Sequence, residues 1–447
     1  MLSRTLIAAA GNAGGGISYW INEVDINASS ATFDLVLGAS EARESVIVRA
    51  QVGSEGRYIE LDNAGDYLRS GSETTSSSQQ TFIPFNNNYL LQAGNSANLR
   101  EYYLETGTSS TALQYSYSGI ANSGVTGGYG RNALAPGLTS DTVCYAFGKR
   151  EYYYVGPYLA WIPYMYVSAN YEPLANPVTN GARVFSRSGS FGDSYFWQPA
   201  VSENTYSGKH SVCFMESFSA SNLHIADING SNVSNERRTI YSLSDTTKNI
   251  FVDSTGKTTI VTYEYSNKIK LLRGSTAGSL SSITSSYKFS TSPIYGGFIA
   301  SVMDSNDNIY LLTDALNLFK FTTSNTIDWS LSLTDSRGSF AGRPLNMVLG
   351  VEGDTEYLYI GKQAELNSSP ANYKLYIWKL PLDANNYTGT YGTYTISSFT
   401  NPTVTSGSIT TSAASYSNSA VTMSNTAINS PTQATELSTH TTNVTAI

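Results

Sequence analysis

Charge is what this chain has least of. Asp, Glu, Lys and Arg make up only 13% of its 447 residues, about half the usual share, so the ordinary material of exposed helix faces is missing. Histidine is scarcer still. His210, His224 and His440 are the only three, with no H-x-x-x-H spacing, no Cys/His set and no carboxylate triad motif, which excludes the common patterns of a transition-metal site. The two cysteines cannot build a disulfide scaffold. Cys144 and Cys213 sit in apolar, strand-like runs, "DTVCYAF" and "SVCFMES", and read as buried thiols.

Other absences narrow the function classes. No stretch approaches the roughly 18 apolar residues of a membrane span, so membrane insertion is not expected. The 26 Lys and Arg stand against 34 Asp and Glu, a net charge of -8; there is no surplus of cations to neutralise nucleic-acid phosphates. Neither G-x-G-x-x-G after a strand, nor G-x-x-x-x-G-K-[ST], nor G-x-S-x-G occurs, and no cofactor is expected. The carboxylates are scattered and single out no glycosidase pair. The sequence therefore assigns no catalytic residue and no metal ligand, and leaves any binding residues unidentified.

Present in abundance are the residues of strands and turns. Aromatics reach 12%, with 33 Tyr, among many Thr, Ser, Gly and Asn, and this composition predicts an all-β fold. The strand "NIYLLTD" at 308–314, preceded by the polar turn "DSND", serves as a template. It recurs as "SVIVRAQ" at 45, "NYLLQAG" at 88, "EYYYVGP" at 151, "HSVCFME" at 210, "TTIVTYE" at 258 and "EYLYIGK" at 356. Each copy follows a turn rich in Gly, Asn, Asp or Ser: "SEARE", "FNNN", "FGKR", "YSGK", "DSTGK", "DSND" or "EGDT". A further β run follows within about a dozen residues, as in "GRYIELD", "KIKLLRG", "LNLFKFT" and "YKLYIWKLP", and outer runs such as "RRTIYSLS" and "TIDWSLSLT" complete a four-strand unit. The steps between units run from 43 to 63 residues. Antiparallel four-stranded units at a period near 50 are the signature of a β-propeller, here with seven blades over residues 17–398.

A ring needs a clasp. "ISYWINEVDI" at 17–26 places a Trp in an alternating strand, as "TIDWSLSLT" does, and is a candidate outer strand for blade seven; "YGTYTISSF" at 391 competes for the same place. Ahead of it, "MLSRTLIAAAGNAGGG" has an apolar core shorter than the about 7–15 residues of a secretory signal, so 1–16 reads as a flexible or docking arm. From 399 to 447 the chain is dominated by Ser and Thr. Ile409, Tyr416, Met423, Leu437 and Val444 share a seven-residue register broken at Ser430, but the second apolar row (Ala414, Val421, Ile428) lies five residues on and Pro431 interrupts. A coiled coil is disfavoured; an extended, Ser/Thr-rich tail segment, as fibre or docking arm, is expected.

Two local features invite a chemical reading. Asp304, Asn306 and Asn308 open like a calcium loop, but Ile309 replaces the required Gly and Ala315 the closing Glu, which leaves a hairpin turn held by Asx contacts. In "EYYYVGPYLAWIPYMY", Tyr158 and Trp161 lie near a hairpin connection, where rings could stack on a sugar or anchor a partner, or else fill the space between blades.

Laid out in this way, the chain resembles tail-associated β-propeller proteins of marine tailed bacteriophages, particularly those infecting cyanobacteria. The likeness is carried by "DSNDNIYLLTD", "LFKFTTSNTIDWSLSL" and "YIWKLPLD", by "KLPLDANNYTGTYGTYTISSFT" before the Ser/Thr-rich tail, and by a small-residue N-terminus running into "YW"; it is clear over 296–447 and faint in blades one to four. The resemblance implies a noncatalytic virion protein of the tail or tail fibre, a scaffold or a host-attachment module. It also implies other virion proteins as partners within a homo- or hetero-oligomeric assembly, and a host surface glycan or receptor as a further partner. A polysaccharide-acting propeller enzyme and a secreted bacterial surface lectin are the alternatives.

Overall fold

The computed structural model describes residues 5–9, 18–24, 35–41, 43–52, 55–74, 81–85, 89–93, 99–103, 109–110, 114–117, 132–137, 142–155, 158–171, 179–186, 195–217, 221–229, 232–241, 246–264, 267–291, 299–339, 345–366, 372–414, 417–426 and 444–446. These form seven antiparallel sheets, and the only helical turns among them are the short 3-10 segments Leu280–Ser282 and Ala384–Tyr387. The first strand of each sheet is Leu35–Ser40, Thr81–Phe85, Asn132–Pro136, Tyr195–Val201, Thr246–Val252, Ile299–Met303 and Leu345–Glu352 in turn. Each of these contacts the next, and the last contacts the first. The sheets therefore close into a ring with their first strands innermost, and the fold is an all-β propeller.

What drives the ring together is apolar surface that no single sheet can hide. Along each strand alternate residues point to opposite faces, so the apolar positions form columns facing both neighbours. Ile250, Ile260 and Leu272 of blade five pack with Cys213, Met215, Leu223 and Ile225 of blade four. On its other face blade five sets Phe251, Val261 and Leu271 against Ile309, Leu311 and Phe319 of blade six. The cores thus lie between blades, and a blade removed from the ring would expose two of them.

The seam between the chain's two ends is closed by the N-terminal candidate. Ser18–Val24 pairs antiparallel with Asn372–Pro381, the third strand of blade seven, in the register Trp20↔Lys379 and Glu23↔Tyr376. The competitor at 391 goes elsewhere: Tyr394–Ser398 pairs with Ile327–Asp335, the fourth strand of blade six. Trp20 wins its place by burial, being fully enclosed while its indole Nε1 donates to the Asn63 carbonyl of blade one at 3.0 Å.

One expectation needs correction. "FGKR" at 147–150 is not a turn; Val143–Val155 runs straight through it, opposite Tyr158–Tyr171, with Lys149 facing Tyr164 and Arg150 facing Pro163. Neither Lys nor Arg enforces a turn, and the aromatic residues on both arms prolong the ladder. Within the segment 1–16, read as a flexible or docking arm, the described strand Thr5–Ala9 lies on the outer edge of Ser18–Val24. The tail is extended as expected, but its described part docks on its own chain. After Tyr394–Ser398 on blade six, Thr405–Ser408 pairs with blade five, Ser412–Ala413 with blade four and Ser417–Thr426 with blade three. Val444–Ala446 then returns to Ser18–Val24 in blade seven. The tail is a belt that runs backwards around the rim and covers one blade edge after another, satisfying backbone groups that would otherwise invite foreign strands.

Candidate functional site: a polar cavity between blades four and five

The ionisable residues singled out above resolve into structural roles. Cys144 and Cys213 are free, fully buried thiols whose pKa values burial pushes up. His224 Nε2 donates to Glu216 Oε2 at 3.0 Å, and its ring stacks on Phe214 with centroids 5.1 Å apart. His210 Nδ1 lies 2.9 Å from the Ser202 carbonyl, and burial lowers its pKa against the opposing effect of that bond. His440 falls outside the described residues.

The calcium-like opening is an Asx-stabilised turn. Asp304 Oδ1 accepts the backbone N–H of Asn306 at 3.0 Å and of Asn308 at 2.8 Å, while Oδ2 accepts the Tyr310 hydroxyl at 3.1 Å. Asp253 does the same for Thr255 and Lys257 one blade earlier. No group of three or more His, Cys, Asp or Glu residues is arranged to hold a metal among the described residues. Tyr158 and Trp161 lie at the start of the strand Tyr158–Tyr171, opposite Val155 and Tyr152; their side chains lie outside the described residues.

The arrangement with chemical capacity is one that these readings overlooked. Between blades four and five, at the ring end that carries the first turn of each blade, lies a cavity of about 240 Å³. Its floor comes from blade four. Ser211, in His210–Ser217, and Asp227, in Ser221–Asn229, are direct cross-strand partners, and the Ser211 hydroxyl donates to Asp227 Oδ1 at 3.0 Å. Both continue the face that Cys213, Met215, Leu223 and Ile225 present to blade five, so two polar groups replace the last step of an apolar column.

A bulge supplies the third member. The pairing of Ser221–Asn229 with Asn232–Tyr241 slips between Ile225 and Asp227, Asn235 adopts a left-handed φ of 54°, and its Nδ2 donates to Asp227 Oδ2 at 2.6 Å. Re-aiming a side chain is what bulges do. Asp227 is only 5% exposed, and burial raises its pKa, opposed by the bonds from Asn235 and Ser211 and by the nearby Lys209.

The wall is aromatic. Ser207 and Gly208, at φ 52° and 70°, form the two-residue turn between Tyr206 and Lys209, which exchange backbone hydrogen bonds at 3.0 and 3.1 Å; positive φ at both positions is the type I′ hairpin pattern. The turn throws the Tyr206 ring across to blade five, onto Gly256. A Cβ there would come within 2.4 to 2.5 Å of three ring carbons, so only glycine admits this contact. Thr258 and Gly278 of blade five complete the lining.

Comparisons with known proteins find only distant likenesses in shape for this chain. No protein-family model matches it, and no curated protein does. Among solved structures it is similar to the Dos1 propeller, at 9% identity over 79% of this chain and 92% of that one, with a TM-score of 0.41. It is also similar to apo AztD from Citrobacter koseri, at 12% identity over 92% of this chain and 100% of that one, TM-score 0.34. A third likeness is to a Trypanosoma rangeli sialidase in complex with 2,3-difluorosialic acid, at 10% identity over 78% of this chain and 54% of that one, TM-score 0.33.

Proposed function

We propose that this propeller is a noncatalytic structural protein of a bacteriophage tail or tail fibre, serving as a rigid scaffold and in attachment to the host. The observation that carries this reading is how the chain uses its two ends. Strands from both termini are laid on the blades as edge strands, and the N-terminal one, Ser18–Val24, is shared by Asn372–Pro381, Thr5–Ala9 and Val444–Ala446. Such a body keeps its outline while its turns are offered to neighbours, which suits a part held among other subunits, and repeated copies would raise weak surface contacts to useful avidity. The resemblance of 296–447 to phage propellers supplies the assignment to a virion; other virion proteins and a host surface glycan or receptor are the partners in this reading.

The test is location. Antibody against this chain should label the tail of intact purified particles, and mass spectrometry of the particles should find the chain with its N-terminal residues retained. Particles free of the chain would refute the virion assignment. Release of new reducing ends from host surface polysaccharide by the purified protein would instead make it an enzyme.

A further inference from the structure

We infer that the cavity between blades four and five binds one neutral sugar ring of a glycan. The inference takes from the attachment reading only the source of such a glycan; the geometry stands apart from it.

Size comes first. At about 240 Å³ the cavity is smaller than the about 300–1,000 Å³ of sites for drug-sized ligands, leaving room for a single ring and not for a nucleotide or a peptide. Its chemistry is two-sided. Tyr206 offers an aromatic wall whose ring is held against Gly256 and Gly278 of blade five, with 38% of the residue left exposed. Across from it lie Ser211, Asp227 and Thr258, each at most 5% exposed, with Lys209 beside them. A sugar ring has the same two characters, a C–H face for the aromatic wall and hydroxyl edges for polar groups.

The polar groups also select charge. A carboxylate has about four lone-pair sites, and Ser211 and Asn235 take one on each oxygen of Asp227. The acceptor capacity that is left suits a pair of ring hydroxyls, and the Lys209 ammonium and the Thr258 hydroxyl can donate to hydroxyl oxygens, while the Ser211 oxygen, its one proton given to Asp227, can accept. An anionic sugar whose carboxylate reached the floor would meet Asp227 in a site of low dielectric, where like charges repel most, a cost that the part-exposed Lys209 ammonium offsets only in part. A cationic ligand would meet Lys209. The floor is also built in advance, since Asn235 and Ser211 hold Asp227 in place, so little ordering is needed on binding.

The test uses the full chain and a panel of methyl glycosides of glucose, galactose, mannose and rhamnose, with methyl glucuronoside and methyl N-acetylneuraminoside as acidic counterparts, titrated by saturation-transfer NMR. At least one neutral glycoside should bind with a Kd of about 1–10 mM, and the acidic ones about tenfold more weakly or not at all. Tyr206→Ala and Asp227→Asn should each weaken binding by about tenfold or more. Ala277→Trp, at an exposed rim position of the same cavity, should block it while the melting temperature stays unchanged. Failure of every neutral glycoside to saturate, preference for the acidic ones, or binding undiminished in Tyr206→Ala and Ala277→Trp would each overturn the inference. A chain found in particles that binds no sugar would leave the virion reading standing alone, and a sugar-binding chain absent from particles would do the reverse.

Discussion

Lys379 of blade seven, with no exposed surface, donates from Nζ to the backbone carbonyl of Asn63 in blade one at 2.9 Å. The same ammonium lies 2.8 Å from Glu352 Oε2 and 4.2 Å from the centroid of Tyr357. Asn63 is the knot of the seam. Its carbonyl also accepts the Trp20 indole N–H, and its Oδ1 accepts the hydroxyls of Tyr357 at 2.7 Å and Tyr359 at 3.1 Å. Asn63→Ala would leave the buried Tyr359 phenol without that acceptor, at about 1–3 kcal/mol, and Tyr357 with only the more distant Val351 carbonyl at 3.4 Å, at a smaller cost. Tyr359→Phe removes donor and need together and should cost about 1 kcal/mol or less. Urea unfolding of both variants checks the difference, and equal losses would show that Asn63 holds the seam by some other means.

A second clasp lies on the far side of blade seven. Arg337 Nη2 is 2.9 Å from both Glu23 Oε2 and Asp335 Oδ2, and 2.7 Å from the Tyr394 hydroxyl, so one guanidinium ties the N-terminal strand to blade six. Arg337→Met would leave the Asp335 side chain, 1% exposed, without its cation. Because Arg337 itself is 33% exposed, solvent screening moderates the loss to about 1–3 kcal/mol. Arg337→Lys keeps the charge but not the fork, and should recover only part of it. Thermal melts of the two variants against the parent measure this, and full recovery by Lys would mean that charge alone matters.

The parts of this fold that could be read in advance are those where side chains carry the pattern. "NIYLLTD" and its copies announce strands because Ile309, Leu311 and Phe319 must meet the neighbouring blade, and Asp304 announces its turn because the carboxylate replaces backbone partners. The belt left no such trace. All four residues of Thr405–Ser408 are exposed, the segment is held through backbone pairing, and backbone bonds impose no residue type, so a Ser/Thr-rich run looks the same whether docked or free. The cavity was hidden for another reason. Ser211 and Asp227 are 16 residues apart and meet only through strand register, so the one available clue was an Asp placed on the same face as Leu223 and Ile225.

Acid should weaken the ring through His210. Burial lowers its folded-state pKa below the ordinary value of 6.5, so the unfolded chain binds a proton more readily than the folded one. Stability from this group is therefore complete above about pH 6.5 and is lost as pH falls below it, by up to about 1.4 kcal/mol per pH unit until the folded pKa is reached. His210→Gln cannot titrate. Melting temperatures of the parent and of His210→Gln, compared between pH 8 and pH 5.5, should diverge in slope, with the parent falling more steeply. Parallel slopes would mean that His210 is protonated equally in both states.

Removing the belt separates edge protection from core stability. Truncation after Phe399 would strip Thr405–Ser408, Ser412–Ala413 and Ser417–Thr426 from blades five, four and three, and Val444–Ala446 from Ser18–Val24 in blade seven. With them goes Asn401, whose Nδ2 donates to the carbonyls of Ile327 and Asp328 at 3.1 and 3.0 Å and whose Oδ1 accepts from Ser330 Oγ at 2.9 Å. Among the described side chains the losses in apolar contact are small, chiefly Val404 and Ile409 at the edges of their clusters, whereas the described columns between blades keep their members. The shortened chain should therefore stay folded, with a melting temperature lower by a few degrees, about 2–4 °C for each kcal/mol lost. Hydrogen exchange should speed up selectively in the strands that pair with the belt, most in Ile283–Ser290, Thr179–Ser186 and Gln114–Tyr117 and less in Asn232–Tyr241 and Ser18–Val24, where the pairing is shorter, and the newly bared edges should promote association between copies. Uniformly faster exchange across all seven sheets would instead show that the belt holds the ring closed.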